Sequence, residues 1–151
     1  MRHALPCLLT LASALALALA ACDTAGDASS QSARGSQLDV DQVKASAFLV
    51  GGLVRAAAVC GVPVSTTAKD RAARIEAAAL DIAMREGGQP ARDSYLQSVQ
   101  PPNFETRRQG QDRTQYCDPK RPEMERVNGF LSGAEGAALA QRADIIHATK
   151  P

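Results

Sequence analysis

Residues 65–88 read STTAKDRAARIEAAALDIAMREGG, and this stretch decides the fold class. Its apolar residues recur at intervals of three and four, which places them on one face of an α-helix; they are Ala68, Ala72, Ile75, Ala79 and Ile82. Ser65 or Thr66 can cap the N-terminus of this helix, and Gly87-Gly88 ends it. The pattern predicts a helix that packs within its own chain. A coiled-coil seam for dimerisation is the alternative, which the short, Ala-rich stripe disfavours.

The preceding segment also has helical periodicity. A helix is predicted from Asp39 or Asp41 to Cys60, where Gly61 and Pro63 stop it. Its apolar face is formed by Val43, Ala47, Val50, Val54 and Ala57. Gly51 and Gly52 lie inside this helix and cost about 1 kcal/mol each relative to Ala. We therefore expect a neighbouring helix to approach closely there.

The same segment raises the question of a membrane span. Residues Ala45 to Val64 are largely apolar, but Arg55 lies in the middle. An Arg at the centre of a span costs roughly 2.5–3.5 kcal/mol on insertion scales. A core helix is the prediction.

Downstream of Gly88, turn residues divide the chain into further helices. We predict a short helix over about 90–99, another over 103–117, one that begins at Pro122, and a last one over about 133–147. The sum is an all-α bundle of five or six helices in a domain over residues 38–148.

Composition agrees with one small domain. The 151 residues are 45% hydrophobic but only 3% aromatic, so an Ala-rich core of modest intrinsic stability is expected. The net charge is +1, and loss of residues 1–21 removes Arg2 and no acidic residue, which leaves a neutral chain. This balance disfavours a nucleic-acid partner.

The N-terminus has the pattern of an export signal. Arg2 is followed by an uncharged run from Leu8 to Ala21 that is too short to span a bilayer and ends in small residues. We predict that residues 1–21 are a signal peptide, which is removed.

Leu19-Ala20-Ala21-Cys22 resembles the lipobox of bacterial lipoproteins. The resemblance covers residues 1–22 only. It implies cleavage before Cys22, a diacylglyceryl group on its sulfur, often acylation of the new amine, and membrane attachment through that lipid. The alternative is a soluble secreted protein cut at an Ala-rich site. Asp23 resembles the inner-membrane retention signal of enteric bacteria, so the inner membrane is favoured slightly over the outer one.

Residues 23–37 are small and polar, with little apolar surface to bury. Together with Cys22 they are predicted to form a lipidated, flexible tether over residues 22–37.

The four cysteines then separate by role. Cys7 lies in the removed segment and Cys22 carries the lipid, which leaves Cys60 and Cys117. In an oxidising periplasm these two are predicted to form one disulfide. A redox or metal site is the alternative, but redox pairs favour Cys-x-x-Cys and zinc needs more Cys or His ligands. No cofactor and no metal are predicted.

Motifs that carry catalysis are missing from the sequence. There is no G-x-S-x-G, H-E-x-x-H or phosphate-binding loop, and His147 is the only His after residue 21. Glu76 and Asp81 are five apart on a helix and share a face poorly, so a carboxylate pair for glycoside hydrolysis is disfavoured. The charged stretch from Glu105 to Arg126 mixes both signs. A surface for anionic lipid or peptidoglycan is one interpretation of it, and a salt-bridged exterior is the default.

These observations favour a non-enzymatic lipoprotein of the cell envelope, which faces the periplasm and binds or scaffolds an envelope protein or peptidoglycan. One alternative is a chaperone-like periplasmic module, by a loose architectural similarity to periplasmic acid-stress chaperones. The other is a cell-wall enzyme that uses dispersed carboxylates.

Overall fold

A computed structural model describes residues 25–104 and 109–149. This part of the chain forms four helices: α1 (Ala25–Cys60), α2 (Thr66–Ser98), α3 (Gln109–Ser132) and α4 (Ala134–Ala148). The all-α fold class is confirmed, whereas the predicted five or six helices are not, since the described residues contain four. The predicted signal peptide and Cys22 lie outside the described residues.

Helix α1 ends where the sequence predicts but begins earlier. It starts at Ala25, so much of the predicted tether is helical in its backbone. Extending a helix that packing already holds costs little, because each added residue closes one hydrogen bond. At the other end, Gly61 has φ 67° and the amide of Val62 donates to the carbonyl of Ala57 at 2.9 Å. This is a Schellman cap, in which Gly supplies the left-handed residue that a side chain would strain.

Helix α2 starts after Ser65, one of the two predicted caps, and its helical geometry is interrupted at the glycines where the sequence predicts an end. The amide of Ala68 donates to Oγ of Ser65 at 3.1 Å. Gly88 has φ 64° and ψ −157°, which breaks the helical geometry, and the helix resumes near Pro90. The two predicted helices lie on either side of this kink, within α2.

Helix α3 also joins two predicted helices. It runs through Pro119 and Pro122, each of which lacks the amide hydrogen that the helix ladder needs. The segments on both sides are nevertheless anchored, because Cys117 is disulfide-bonded and Met124 is buried. Long-range packing outweighs the local signal for a break.

Polar contacts hold the end of α3 against the start of α2. The amide of Ser65 donates to Oδ1 of Asn128 at 2.9 Å. Arg71 Nη1 donates to the carbonyl oxygens of Leu131 at 2.5 Å and Gly133 at 2.8 Å. The Leu131 carbonyl lies in the last turn of α3, where intrahelical partners run out. The Gly133 carbonyl belongs to the N-cap of α4 and also accepts from the amide of Ala137 at 3.2 Å.

All four helices contribute to the core, which centres on the α1–α2 and α2–α4 interfaces. The α2 stripe that the sequence predicts is buried at all five positions, and the α1 stripe is buried except at Val54, which is partly exposed. The largest fully buried side chains are Ile75, Met124, Leu131, Leu139, Val43 and Val99. Alanines fill much of the remainder, so the helices pack closely with small side chains.

Candidate functional site

An open, mostly apolar groove lies between α1 and α3. The two helices run antiparallel, because Cys60 at the end of α1 is bonded to Cys117 in the first half of α3, while Ser46 and Phe130 line one cavity. That cavity has a volume of about 400 Å³ and a mostly apolar lining. Its walls are Ser46, Leu49, Val50 and Leu53 of α1 with Glu123, Arg126, Val127 and Phe130 of α3.

A second cavity of about 250 Å³ adjoins the first and has a mixed polar and apolar lining. Its walls come from α1, from α3 and from residues 98–100 at the end of α2. The two share Leu49, Leu53 and Glu123, and the second extends to Tyr116 and Lys120. We call the combined feature the α1–α3 groove.

Two large apolar side chains stand beside the groove with much of their surface in solvent. Leu49 is 59% exposed and Phe48 is 51% exposed. One edge of the Phe48 ring packs against Tyr95, with ring centroids 5.5 Å apart and planes at 89°. Exposed apolar surface next to a concave apolar lining is typical of a binding surface.

The α3 side of the groove carries charges of both signs. Glu123 and Arg126 are exposed, and neither has an ion-pair partner within residues 25–104 and 109–149. Arg126 Nε donates a hydrogen bond to the carbonyl oxygen of Pro122 on its own helix, at 3.4 Å. Lys120 Nζ lies 5.4 Å from the centroid of the Tyr116 ring, a cation–π distance.

The disulfide prediction is confirmed. Cys60 and Cys117 are bonded, with Cα atoms 5.5 Å apart and a sequence separation of 57. The guanidinium of Arg113, one turn before Cys117, donates to the carbonyl oxygen of Val59 beside Cys60. Both contacts tie the end of α1 to the first half of α3.

The two carboxylates weighed as a catalytic pair contact different helices. Glu76 Oε1 lies 2.5 Å from Nη2 of Arg55 on α1. Asp81 contacts Nδ1 of His147 on α4. In these contacts Glu76 pairs with α1 and Asp81 with α4.

A partly buried polar cluster lies beside Glu76 between α1 and α2. The Tyr95 hydroxyl donates to the carbonyl oxygen of Ala47 at 3.1 Å. Burial is the main cause that raises the pKa of Tyr95, the negative charge of Glu76 adds to it, and Arg55 opposes it. Tyr95 is therefore a neutral hydrogen-bond donor that fixes α2 to α1.

This cluster explains one of the two helix glycines. A Cβ on Gly51 meets Arg55 Nη1 at 3.2 Å and the Tyr95 hydroxyl at 3.4 Å, as expected for close approach. A Cβ on Gly52 meets nothing within 4 Å, so the close-approach explanation is wrong there.

The stretch Asp39–Cys60 is the one described helical segment that could cross a membrane by length and composition, with a mean hydropathy of 1.6. In the structure, 44% of the 18-residue apolar window within this stretch is buried in the bundle. Arg55 in its middle is ion-paired with Glu76. These contacts are typical of a core helix, as the sequence predicts for this segment.

The described residues contain no candidate metal site. Across residues 25–104 and 109–149, no group of three His, Cys, Asp or Glu side chains could hold a metal ion. Residues 105–108 of the charged stretch lie outside the described part.

Sequence reasoning missed Phe48 and Leu49. Both fall outside the helical stripe of α1, and an apolar residue off the buried stripe is the signal that could have identified them. Whether such a residue is covered depends on how α3 is placed.

The chain matches no protein-family model, and neither the curated proteins nor the solved structures contain a significant match.

Proposed function

We propose that this chain is a lipid-anchored protein of the bacterial cell envelope, whose helical domain faces the periplasm and binds or scaffolds another envelope component without catalysing a reaction. The observation that carries the anchor is Leu19-Ala20-Ala21-Cys22 behind an uncharged leader. Two or more acyl chains on Cys22 hold a protein stably in a bilayer, where one chain does not.

The disulfide supports an extracytoplasmic location. Structural disulfides persist in oxidising compartments such as the periplasm and are rare in the reducing cytosol. The Cys60–Cys117 bond joins two helices of a small, Ala-rich domain. Such a domain gains most from a covalent staple, because its core buries little surface per residue.

The α1–α3 groove supports a binding role. Its lining is mostly apolar, and exposed Leu49 lies on its wall. Such surface favours a protein partner, because association removes it from water. The acidic groups considered for chemistry instead connect helices, as Glu76 does with Arg55 and Asp81 does with His147.

The anchor is tested by comparing wild type with Cys22→Ser in the exporting bacterium. Wild type is expected in the membrane fraction, with an intact mass that includes acyl chains and the two-hydrogen loss of one disulfide. Cys22→Ser is expected to retain its leader or to leave the membrane. Cys7→Ser is the matched control, since Cys7 lies in the removed segment and its loss leaves processing unchanged. A Cys22→Ser protein that is processed normally and stays on the membrane would falsify the proposal.

A chaperone-like module is the second candidate, favoured by the exposure of Phe48 and Leu49. A chaperone function requires that this protein suppress the aggregation of a denatured client protein at low pH. If a molar excess of this protein has no effect on the aggregation, the chaperone function is ruled out.

A further inference from the structure

We infer that the α1–α3 groove binds a second copy of this chain across a two-fold axis, with Glu123 of each copy facing Arg126 of the partner subunit. The inference rests on the proposed function only in taking the groove as a protein-binding surface. The lipid anchor is not part of it.

The first argument is the opposite charge of two unpaired side chains. Glu123 and Arg126 are exposed, three residues apart on α3, and both line the larger cavity of the groove. Neither is ion-paired in the part of the chain that the structure describes. A two-fold interface places residue i of one copy against residue j of the other and j against i. Glu123 and Arg126 of one copy can therefore pair with Arg126 and Glu123 of the partner subunit.

The second argument is the register that this pairing imposes. An axis between positions 123 and 126 of antiparallel α3 helices places Lys120 of one copy level with Gly129 of the partner subunit. Lys120 and Gly129 are nine residues apart, so at about 3.6 residues per turn they lie on opposite sides of α3 and do not face each other. The two copies of Lys120 lie at opposite ends of the contact, about 13 Å apart along the helix axes. The third charge of the groove therefore does not meet its own copy.

The third argument concerns what the interface covers. Leu49 is 59% exposed on the wall of the groove, beside partly buried Phe130. Association of two copies along α3 brings both apolar walls together and removes them from water. Because the chain without residues 1–21 carries no net charge, the two copies do not repel each other at long range.

Sedimentation equilibrium of the full chain, extracted from membranes in mild detergent, tests the interface. The wild type is expected to dimerise reversibly. Glu123→Arg and Arg126→Glu each turn two attractions into two repulsions, which raises the dimer dissociation constant about ten-fold. The double variant Glu123→Arg/Arg126→Glu restores the pairing in reverse, and its constant returns to within about three-fold of wild type. Glu125→Arg, an exposed acid on α3 that does not line the groove, is the matched control and leaves the constant unchanged.

Restoration by the double variant separates the interface from a folding defect, because a misfolded single variant is not repaired by a second charge reversal. A photo-crosslinking residue at position 49 in intact envelopes is expected to yield a product of twice the chain mass. A wild type that stays monomeric at all concentrations, a double variant no better than the singles, or crosslinks only to a different protein overturns the inference. If Cys22→Ser loses membrane attachment but keeps the dimer dissociation constant of the wild type, both proposals are supported. If the wild type is lipidated but monomeric, the dimer interface is overturned and the lipid anchor stands.

Discussion

Nη2 of Arg55 on α1 lies 2.5 Å from Oε1 of Glu76 on α2, between the two helices that contain most of the core. The side chains of Arg55 and Glu76 are 34% and 16% exposed. The pair explains how a charged residue sits in the middle of an otherwise apolar helix. The guanidinium of Arg55 also donates to the carbonyl oxygen of Gly51, one turn back on α1, at 3.3 Å.

Glu76→Gln is expected to lower the free energy of unfolding by about 1–2 kcal/mol, because Arg55 loses its counter-charge in a partly desolvated place. Glu86→Gln is the matched control. The Lys44–Glu86 pair joins the same two helices, but both of its side chains are about half exposed. A loss below about 0.5 kcal/mol is therefore expected. Urea unfolding of both variants measures the difference. Equal losses would contradict a special role for the Arg55–Glu76 pair.

Reduction of the Cys60–Cys117 bond, or its replacement by two Ser residues, is expected to cost about 4 kcal/mol of unfolding free energy. The bond closes a loop of 57 residues, and its loss returns that loop's freedom to the unfolded chain. Thermal unfolding with and without a thiol reductant measures the effect. The Ser variant should be insensitive to the reductant, and a wild type equally insensitive would mean that the bond does not stabilise the domain.

Asp144 is expected to make stability depend on acid pH. The hydrogen bond from Arg74 is the main cause that lowers the pKa of Asp144 below its ordinary 3.8, and the nearby charges of Arg74 and His147 act in the same direction, while burial opposes them. Because the folded state binds this proton more weakly than the unfolded state, the contribution is full above pH 3.8 and is lost as pH falls through the lowered pKa.

Asp144→Asn therefore reduces stability at neutral pH, and its difference from wild type shrinks as the pH falls below 3.8. Urea unfolding at a series of pH values measures this slope. Arg74→Met should flatten the same region of the curve, since it removes the donor. A constant difference between wild type and Asp144→Asn across the acid range would show that the Arg74–Asp144 contact does not set the pKa.

Gly136→Ala is expected to destabilise the fold by about 1–3 kcal/mol through overpacking. A Cβ at Gly136 would lie 2.5 Å from the carbonyl oxygen of Phe130 and 2.6 Å from Cα of Leu131, so backbone must move where α4 leaves α3. Gly52→Ala is the control, because nothing lies within 4 Å of its Cβ and Ala favours a helix by about 1 kcal/mol. Thermal unfolding should shift in opposite directions for the two variants.

Local signals in the sequence determined the helical class, the buried stripe from Ala68 to Ile82, a cap at Ser65 or Thr66 and the Cys60–Cys117 pairing. Periodicity, capping and cysteine number are readable without knowing which helices touch, because they reflect the chemistry of neighbouring residues.

Only the tertiary structure decided that α3 continues through Pro119 and Pro122, whereas the break that the sequence predicts at Gly87-Gly88 is present as the kink at Gly88. It also decided that Arg55 meets Glu76 and that Leu49 stands on an open groove. Breaks and partners depend on packing between residues far apart in sequence. The free energy of that packing exceeds local preferences of about 1–3 kcal/mol, and no single segment contains it.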